Sequence, residues 1–367
     1  MSHRQRIRVA VIGAGHLGKI HARLLREHPR VEVVAVVDPQ SIARQQIEQQ
    51  LDLPTCDNYQ QLIGKIDAAV IATPTCQHFE IADHLLQHRI HLLIEKPLTD
   101  SVSAAQALTE TAARFNCQVQ VGHCERFNPA LQPALDHVGQ PKFIIANRLS
   151  GFAFRSTDIG VVHDLMIHDI DLVNSIFPGN LQEARAVGMS MLTPHEDLAH
   201  ARLQFSCGGI AILAASRCSY QPERSMQIYG SQGFAAIDFT HSKLTTVTVP
   251  QSLLDKEYDL LKIGPDQQAF IRDNFFTEVL TKTEVDIPRI NAIAEEHHDW
   301  LNAIDLGSSP TVTAEQGWQA VDIAQAVLDS LANHRWQSAQ PATTGPHPQL
   351  SLFKGNGKMT SPHMRVA

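Results

Sequence analysis

The first part of the chain alternates short apolar runs with amphipathic segments. Each apolar run is bounded by polar or turn residues and predicts a buried strand, and the segments between the runs carry apolar residues at helical spacing. The predicted strands are residues 8–12, 31–37, 67–72, 90–94 and 117–122, and the helices between them begin near residues 17, 41, 79 and 101. This alternation predicts a Rossmann-type, doubly wound parallel sheet.

The second part has a different pattern, in which many β-rich runs follow one another at hairpin spacing. Such spacing predicts a mostly antiparallel sheet in an α+β domain. Three helices interrupt or follow the runs: 160–177, 290–304 and 313–333, of which the last is expected to pack back on the first domain. The predicted strands are residues 143–149, 184–192, 199–205, 210–216, 225–229, 234–239 and 244–249.

The fold class is therefore α/β, with a nucleotide-binding domain over residues 1–125 and a substrate-binding and oligomerisation domain over residues 126–336. A length of 367 residues agrees with two domains. Residues 337–367 are rich in Pro, Gly, Ser and Thr, and we expect a poorly ordered tail.

Composition excludes several classes of protein. A formal charge of −8 with no basic stripe argues against nucleic acid as a partner, and no long apolar segment predicts a signal peptide or a membrane span. The six cysteines form no C-x-x-C pair, so neither a disulfide framework nor a metal site is expected. The plain expectation is a cytoplasmic protein.

A glycine loop follows the first strand and has the G-x-G-x-x-G spacing of dinucleotide-binding loops. Gly13 permits the tight turn, Gly15 lets the backbone approach a pyrophosphate, and Gly18 allows close packing of helix on strand, while His16 and Leu17 open the helix. The pyrophosphate is expected at the helix N-terminus.

The second strand ends in Asp38, at the spacing where a carboxylate binds the ribose hydroxyls of the cofactor. A carboxylate there also repels a 2′-phosphate. NAD is therefore the predicted cofactor, although Arg44 leaves NADP as an alternative.

Two further strand ends are expected to border the cofactor. Thr73, Pro74 and His78 follow one strand, and Glu95 and Lys96 follow the next. Ligands of open α/β sheets bind outside the carboxyl ends of the strands. Lys96 is suited to acid–base or substrate-orienting work because a cation beside a buried strand is costly unless it reaches a polar site. A surface lysine is the plain alternative.

The helix predicted over residues 160–177 carries a second candidate pair. Asp164 and His168 are one turn apart, so the carboxylate is expected to orient the imidazole, which is the natural proton acceptor from an alcohol. An ordinary surface pair is the alternative. A metal is not expected because the spacing fits no known signature. The acidic and histidine-rich run 295–299 is predicted to be a solvated helix face.

The segment after the last strand of the first domain is expected to cross into the cleft. Arg126 there is a candidate partner of an anionic substrate, and His123 and Glu125 are candidate pocket residues. Arg148 and Arg155 add positive charge that suits a diphosphate, and a structural role is the equal alternative for either.

Together these motifs resemble the Gfo/Idh/MocA family of NAD(P)-dependent sugar and inositol dehydrogenases. The resemblance runs from the glycine loop through Glu95 and Lys96 to residues 299–304. It implies a large open sheet in the second domain, a homodimer or homotetramer formed through that sheet, and catalytic roles for Lys96, Asp164 and His168.

Within the family, residues 122–129 and 164–171 look most similar to the members that oxidise the 3-hydroxyl of UDP-N-acetylglucosamine. This resemblance implies an NAD-dependent oxidoreductase that converts a secondary hydroxyl of a sugar nucleotide to a ketone, in the route to the diamino sugar of lipid A. Two alternatives stay open: a dehydrogenase of a free sugar or inositol, and a non-catalytic NAD-binding regulatory protein.

Overall fold

The structure, a computed structural model, describes residues 6–154, 159–257 and 259–334. Its first layer is a parallel sheet with strand order β3-β2-β1-β4-β5-β6. This is the order of a Rossmann fold, with the change of direction between β1 and β4. The strands are β1 Ile7–Ile12, β2 Val31–Val37, β3 Thr55–Cys56, β4 Ala68–Ile71, β5 His91–Glu95 and β6 Val119–Gly122.

Helices cover both faces of this sheet. Successive strand residues point to opposite sides, and both sets of side chains are apolar, so both faces have to be buried. Val9 and Val11 pack on the face that Trp300 and Leu301 cover, whereas Ala10 and Ile12 belong to the core of the other face. The helices of this part are α1 His16–Glu27, α2 Ser41–Leu51, α3 His78–Gln87 and α4 Val102–Phe115.

The second sheet has eight strands in the order β14-β13-β12-β11-β7-β10-β9-β8, and all neighbours are antiparallel except β7 and β10. This confirms the mostly antiparallel sheet. Its strands are β7 Pro141–Leu149, β8 Leu181–Met189, β9 Leu198–Phe205, β10 Ile210–Ser216, β11 Glu223–Gly230, β12 Gly233–Asp238, β13 Lys243–Thr248 and β14 Thr281–Asp286.

One face of the second sheet is buried under helices. Alternate residues such as Ile144 and Leu213 have 0% and 1% of their surface exposed, and helices of the second part pack over them. The helices after the first sheet are α5 Leu131–Val138, α6 Ile167–Ile176, α7 Gln251–Leu254, α8 Pro265–Asp273, α9 Ala292–Leu306 and α10 Ala314–Asn333, of which α9 packs against the first sheet.

The long helix predicted over 160–177 has two parts. Val162–Met166 forms a π-helical turn, and α6 continues from it. The wider turn changes which side chains share a face, and π turns occur frequently at functional sites. At the other end of the chain, α10 contacts α4 as expected, and it also packs on β8 and α6.

The hydrophobic pattern of the sequence did not predict α5, β14 or the short helices between residues 250 and 280. The predicted domain boundary at residue 125 lies in a 3₁₀ turn, Cys124–Phe127, between the two sheets. The predicted tail lies outside the described residues. Within the described part of the chain, no helix has the length and apolar character needed to cross a membrane.

Candidate active site

The glycine loop has the geometry that a pyrophosphate requires. Gly13 has φ +103°, and a Cβ there would lie 2.5 Å from the Ala72 carbonyl oxygen. A Cβ on Gly18 would lie closer to the Gly13 carbonyl oxygen than two non-bonded atoms can approach. A Cβ on Gly15 would meet nothing within 4 Å. Gly15 caps α1 without a side-chain acceptor for the first N–H groups, so the first turn, with His16 exposed and Leu17 half-buried, is open to an anion.

Asp38 lies directly beside this loop. Its Oδ2 accepts a hydrogen bond of 3.0 Å from the Ala14 backbone N–H, and its Oδ1 accepts one of 2.8 Å from Gln40. The carboxylate is half-buried at the end of β2. Arg44 is close by, where its Nη1 donates to the carbonyl oxygens of Asp38 and Pro39 at 2.8 and 2.9 Å.

His78 joins the two strand-end segments next to the loop. Its ring nitrogens bond the carbonyl oxygens of Thr73 and Pro97, both at 3.0 Å, and only 1% of the residue is exposed. Burial is the largest cause of its lowered pKa, and the hydrogen bonds to the two carbonyl oxygens oppose that shift. His78 therefore connects the two segments; beside Gly13, Thr73 is half-buried with its hydroxyl enclosed, and Pro74 is exposed.

Lys96 reaches from the end of β5 to the helix that follows β7. Its Nζ lies 2.5 Å from the Asp164 backbone oxygen and 3.2 Å from Asp164 Oδ1, and the side chain is 12% exposed. Among the described residues no side-chain hydrogen bond joins Asp164 to His168. The expected carboxylate–imidazole pair is therefore replaced by a lysine–carboxylate pair, because the π turn rotates Asp164 away from an i, i+4 neighbour.

His168 is half-buried at the start of α6, and its Nδ1 is enclosed without a hydrogen-bond partner. This leaves Nε2 as the nitrogen that a substrate can meet. Burial, with the charge of Lys96 as the next cause, lowers the pKa of His168 well below its usual value, so the imidazole is neutral at neutral pH. A neutral imidazole can accept a proton.

His123 lies behind His168 instead of lining the cleft. Only 1% of it is exposed, and its ring stands edge-on to the His168 ring with 6.2 Å between centroids. Burial lowers its pKa to about 3. The strand before it is deeply buried, which explains why a residue expected in the pocket packs behind the candidate base.

Two predicted anion-binding arginines, Arg148 and Arg126, form ion pairs within the chain. Arg148 is 4% exposed, donates to both oxygens of Asp169 at 2.8 and 3.0 Å, and donates to Glu125 at 2.9 Å. Arg126 contacts Asp171 at 3.4 Å. These contacts favour the structural alternative for Arg148, and they join the crossing segment with Glu125 and Arg126 to α6. Arg155 lies outside the described residues.

Glu95 turns its carboxylate into the interior, away from the cofactor crevice. Its Oε1 bonds His21 Nε2 at 2.8 Å, and His21 Nδ1 lies 2.7 Å from His297 Nε2. Its Oε2 accepts the backbone N–H of Lys96. Glu95 thereby links α1, α9 and the main chain of the lysine.

The run 295–299 is not the solvated face that its composition predicted. Glu296 and His297 are each 1% exposed, and burial raises the pKa of Glu296 well above its usual value. Sequence reasoning missed these residues, together with His21 and Asp169. The one available signal was the apolar spacing of Trp300 and Leu301, which places Glu296 and His297 on the buried side of α9.

Comparison with known proteins agrees with this geometry. A family model described as "Oxidoreductase family, NAD-binding Rossmann fold" matches residues 7–123, and its C-terminal alpha/beta domain matches residues 152–338. The chain belongs to the Gfo/Idh/MocA oxidoreductase family.

Its relatives include dehydrogenases of two substrate classes. UDP-N-acetylglucosamine 3-dehydrogenase of Acidithiobacillus ferrooxidans is 32% identical over 81% of this chain and 88% of its own. A solved structure of that enzyme has a TM-score of 0.77 at 29% identity, covering 89% of this chain and 98% of the other. The scyllo-inositol 2-dehydrogenase (NAD(+)) of Bacillus subtilis is 27% identical over 74% and 84% of the two chains.

The protein is therefore an NAD-dependent oxidoreductase that acts on an alcohol group, as its family is. The residues fit the cofactor: Gly13 and Gly18 cannot carry a side chain, Gly15 leaves open space before α1, and Asp38 stands beside the loop. The non-catalytic alternative is excluded, and the choice between sugar nucleotide and free polyol remains.

Asp38 is expected to set the preference between NAD and NADP. We expect Asp38→Ser to lower kcat/KM with NAD about tenfold, because the variant loses an acceptor for the ribose hydroxyls. We expect it to raise kcat/KM with NADP, because the carboxylate that repels a 2′-phosphate is gone and Arg44 stays nearby. Steady-state rates with both cofactors measure this ratio. Asp57→Ser, at an exposed acid elsewhere, is the control; an unchanged ratio in Asp38→Ser contradicts the assignment.

Proposed function

We propose that the enzyme oxidises the 3-hydroxyl of UDP-N-acetylglucosamine to a ketone. The observation that carries this proposal is the contact of Lys96 with Asp164, which brings an ammonium group from the first sheet to the helix that bears a neutral His168. Two groups of that kind near the cofactor crevice suit the oxidation of an alcohol. The 32% identical relative supports the sugar nucleotide as the substrate class.

In this mechanism His168 Nε2 takes the hydroxyl proton of the substrate. Because its pKa is lowered, the ring is unprotonated at neutral pH and has a lone pair that can accept the proton. Lys96 donates a hydrogen bond to the same oxygen and stabilises its growing negative charge. Asp164 is a positioning residue, because it fixes the ammonium group at 3.2 Å. NAD, when bound, supplies the nicotinamide carbon that accepts hydride.

The ketone product would suit a following transamination, which adds an amino group at the oxidised carbon. We place the enzyme on this basis in the route to the diamino sugar of lipid A, in agreement with the resemblance of residues 122–129 and 164–171 to members of that route.

The test is NADH formation with a panel of alcohols: UDP-N-acetylglucosamine, UDP-glucose, N-acetylglucosamine, myo-inositol and scyllo-inositol. The first should have the highest kcat/KM, and reduction of the trapped product with borodeuteride should place deuterium at carbon 3. Faster oxidation of an inositol or a free sugar would overturn the proposal in favour of the other substrate class. Deuterium at another carbon would overturn the position.

We also propose a homo-oligomer formed through the second sheet. The face opposite the helices carries half-buried apolar side chains on its central strands, among them Phe143, Ile145, Ile210 and Ile212. Helices cover only the other face in the described part of the chain. A contiguous apolar face of this kind marks an interaction site, and a symmetric pair would bury the same patch on both copies.

Ile145→Asp should therefore shift the protein towards monomer, since it places a charge at the centre of the proposed interface. Sedimentation velocity at micromolar concentration measures the change. Thr283→Asp, on the edge strand β14, is the control and should leave the distribution as it is. A wild-type protein that sediments as a monomer would contradict the proposal.

A further inference from the structure

Arg224 lies directly opposite Arg148 across the pair of strands β7 and β11. Directly opposed residues of an antiparallel pair have Cβ atoms about 5 Å apart on the same face, and like charges there are destabilising. Arg148 is neutralised by Asp169 and Glu125. Arg224 is exposed, and within the described ranges no carboxylate forms a salt bridge with it.

The position of Arg224 ties it to the active site. It shares the helix-covered face with Arg148, whose guanidinium contacts Asp169 next to His168. Its charge is near enough to lower the pKa of both His168 and Asp169. An exposed cation at this place is accessible to an anion from outside the chain.

Aromatic side chains lie exposed on two neighbouring loops at the same end of the central strands. One loop follows β7, and the other joins β10 to β11. Phe154 is 88% exposed and Tyr220 is 97% exposed. Phe152 packs edge-on against Phe154 with 4.9 Å between ring centroids. The loops lie side by side, because the Ser219 N–H donates to the Ser150 carbonyl at 3.0 Å.

Phe154 also has φ +52°, which a bulky residue rarely adopts. Strain of this kind concentrates at ligand-binding sites. An exposed ring held at a strained position gains nothing for the fold of one chain, whereas a planar ligand stacked on it would make use of the ring.

We propose that Arg224 with Phe152, Phe154 and Tyr220 forms the subsite for the nucleoside diphosphate of the substrate. Arg224 donates to the diphosphate, and the aromatic side chains stack on the base. The subsite rests on the proposed function and explains how a sugar-nucleotide dehydrogenase would distinguish its substrate from a free sugar. The sugar ring is then directed towards His168.

The test uses the full chain saturated with NADH and measures binding of two probes, UDP and pyrophosphate, by calorimetry. Arg224→Gln should weaken both about tenfold or more. Phe154→Ala and Tyr220→Ala should weaken UDP about tenfold and leave pyrophosphate unchanged. Arg185→Gln, at an exposed arginine of β8, is the control. In turnover, Arg224→Gln should raise KM for UDP-N-acetylglucosamine with little change in kcat.

Unchanged UDP affinity in Arg224→Gln would overturn the subsite even if the wild type oxidises UDP-N-acetylglucosamine, in which case the proposed function stands. Wild-type enzyme that binds UDP through Arg224 but oxidises a different sugar nucleotide would support the subsite and overturn only the named substrate. Aromatic variants that alter sedimentation and leave UDP affinity unchanged would assign the rings to an interface between copies and overturn their role here.

Discussion

Lys96→Met is expected to lower kcat/KM for the sugar nucleotide about a thousandfold. The variant keeps an unbranched side chain as far as Cε and removes the ammonium group that stabilises the substrate oxygen, and losses of this kind amount to about two to four orders of magnitude. Steady-state kinetics with NAD at saturation measure the change. Lys65→Met, at an exposed lysine before β4, is the matched control and should retain full activity.

Variants of Asp164 in the same assay distinguish a residue that positions Lys96 from one that takes part in the reaction itself. Asp164→Asn should cost about tenfold because Lys96 keeps its contact with the backbone oxygen of residue 164. The double variant Lys96→Met with Asp164→Asn should be no slower than Lys96→Met alone, since a residue that acts through another has nothing left to position. Additive losses would mean that the carboxylate has a role of its own. A fully active Lys96→Met would remove the mechanism.

Local sequence was sufficient to predict the first sheet and the cofactor loop. The contacts of the glycines, the apolar strands and Asp38 are made with residues close in sequence or within one βαβ unit. Their spacing along the chain is therefore enough to predict the loop and the sheet. Gly13 and Gly18 illustrate this, because a Cβ on either would collide with backbone of the same unit. The order of the parallel strands follows from the same rules of connection.

Long-range partners of polar residues could not be predicted in this way. Lys96 and Asp164 are 68 residues apart in sequence, and His21 and His297 are 276 apart. Their contacts depend on how two sheets and α9 pack together. The i, i+4 rule placed Asp164 with His168, and it failed because the π turn changed the local period.

The second sheet shows the same division. Alternation along its strands predicted the sheet, since one face is covered and the other is not. The described residues between 250 and 280 form short, largely exposed helices, so no apolar period indicated them. Composition also placed Glu296 on a solvated face, because burial of an acid depends on tertiary neighbours that a local window does not contain.

Arg148→Met should lower the free energy of unfolding by about 3 to 5 kcal/mol. The guanidinium is 5% exposed and neutralises two carboxylates, Glu125 and Asp169, so its removal leaves uncompensated negative charge in the interior. Urea denaturation followed by circular dichroism measures the loss. Arg185→Met is the control: its pair with Glu183 is 74% exposed on the arginine side, and the change should be within about 0.5 kcal/mol.

The loss in Arg148→Met should also depend on pH. Burial already raises the pKa of Asp169 in the folded protein, and the arginine opposes that rise. Without the arginine the folded state binds a proton more tightly than the unfolded state does. Stability of the variant relative to wild type should therefore fall as pH rises above the unfolded carboxyl pKa of about 4. Adding Asp169→Asn and Glu125→Gln to the variant should recover much of the loss at pH 8, because neutral amides carry no buried charge. The loss of stability could instead be equal at pH 5 and pH 8 and persist in the triple variant. That result would mean that packing of the arginine side chain, and not its charge, stabilises the junction between the crossing segment and α6.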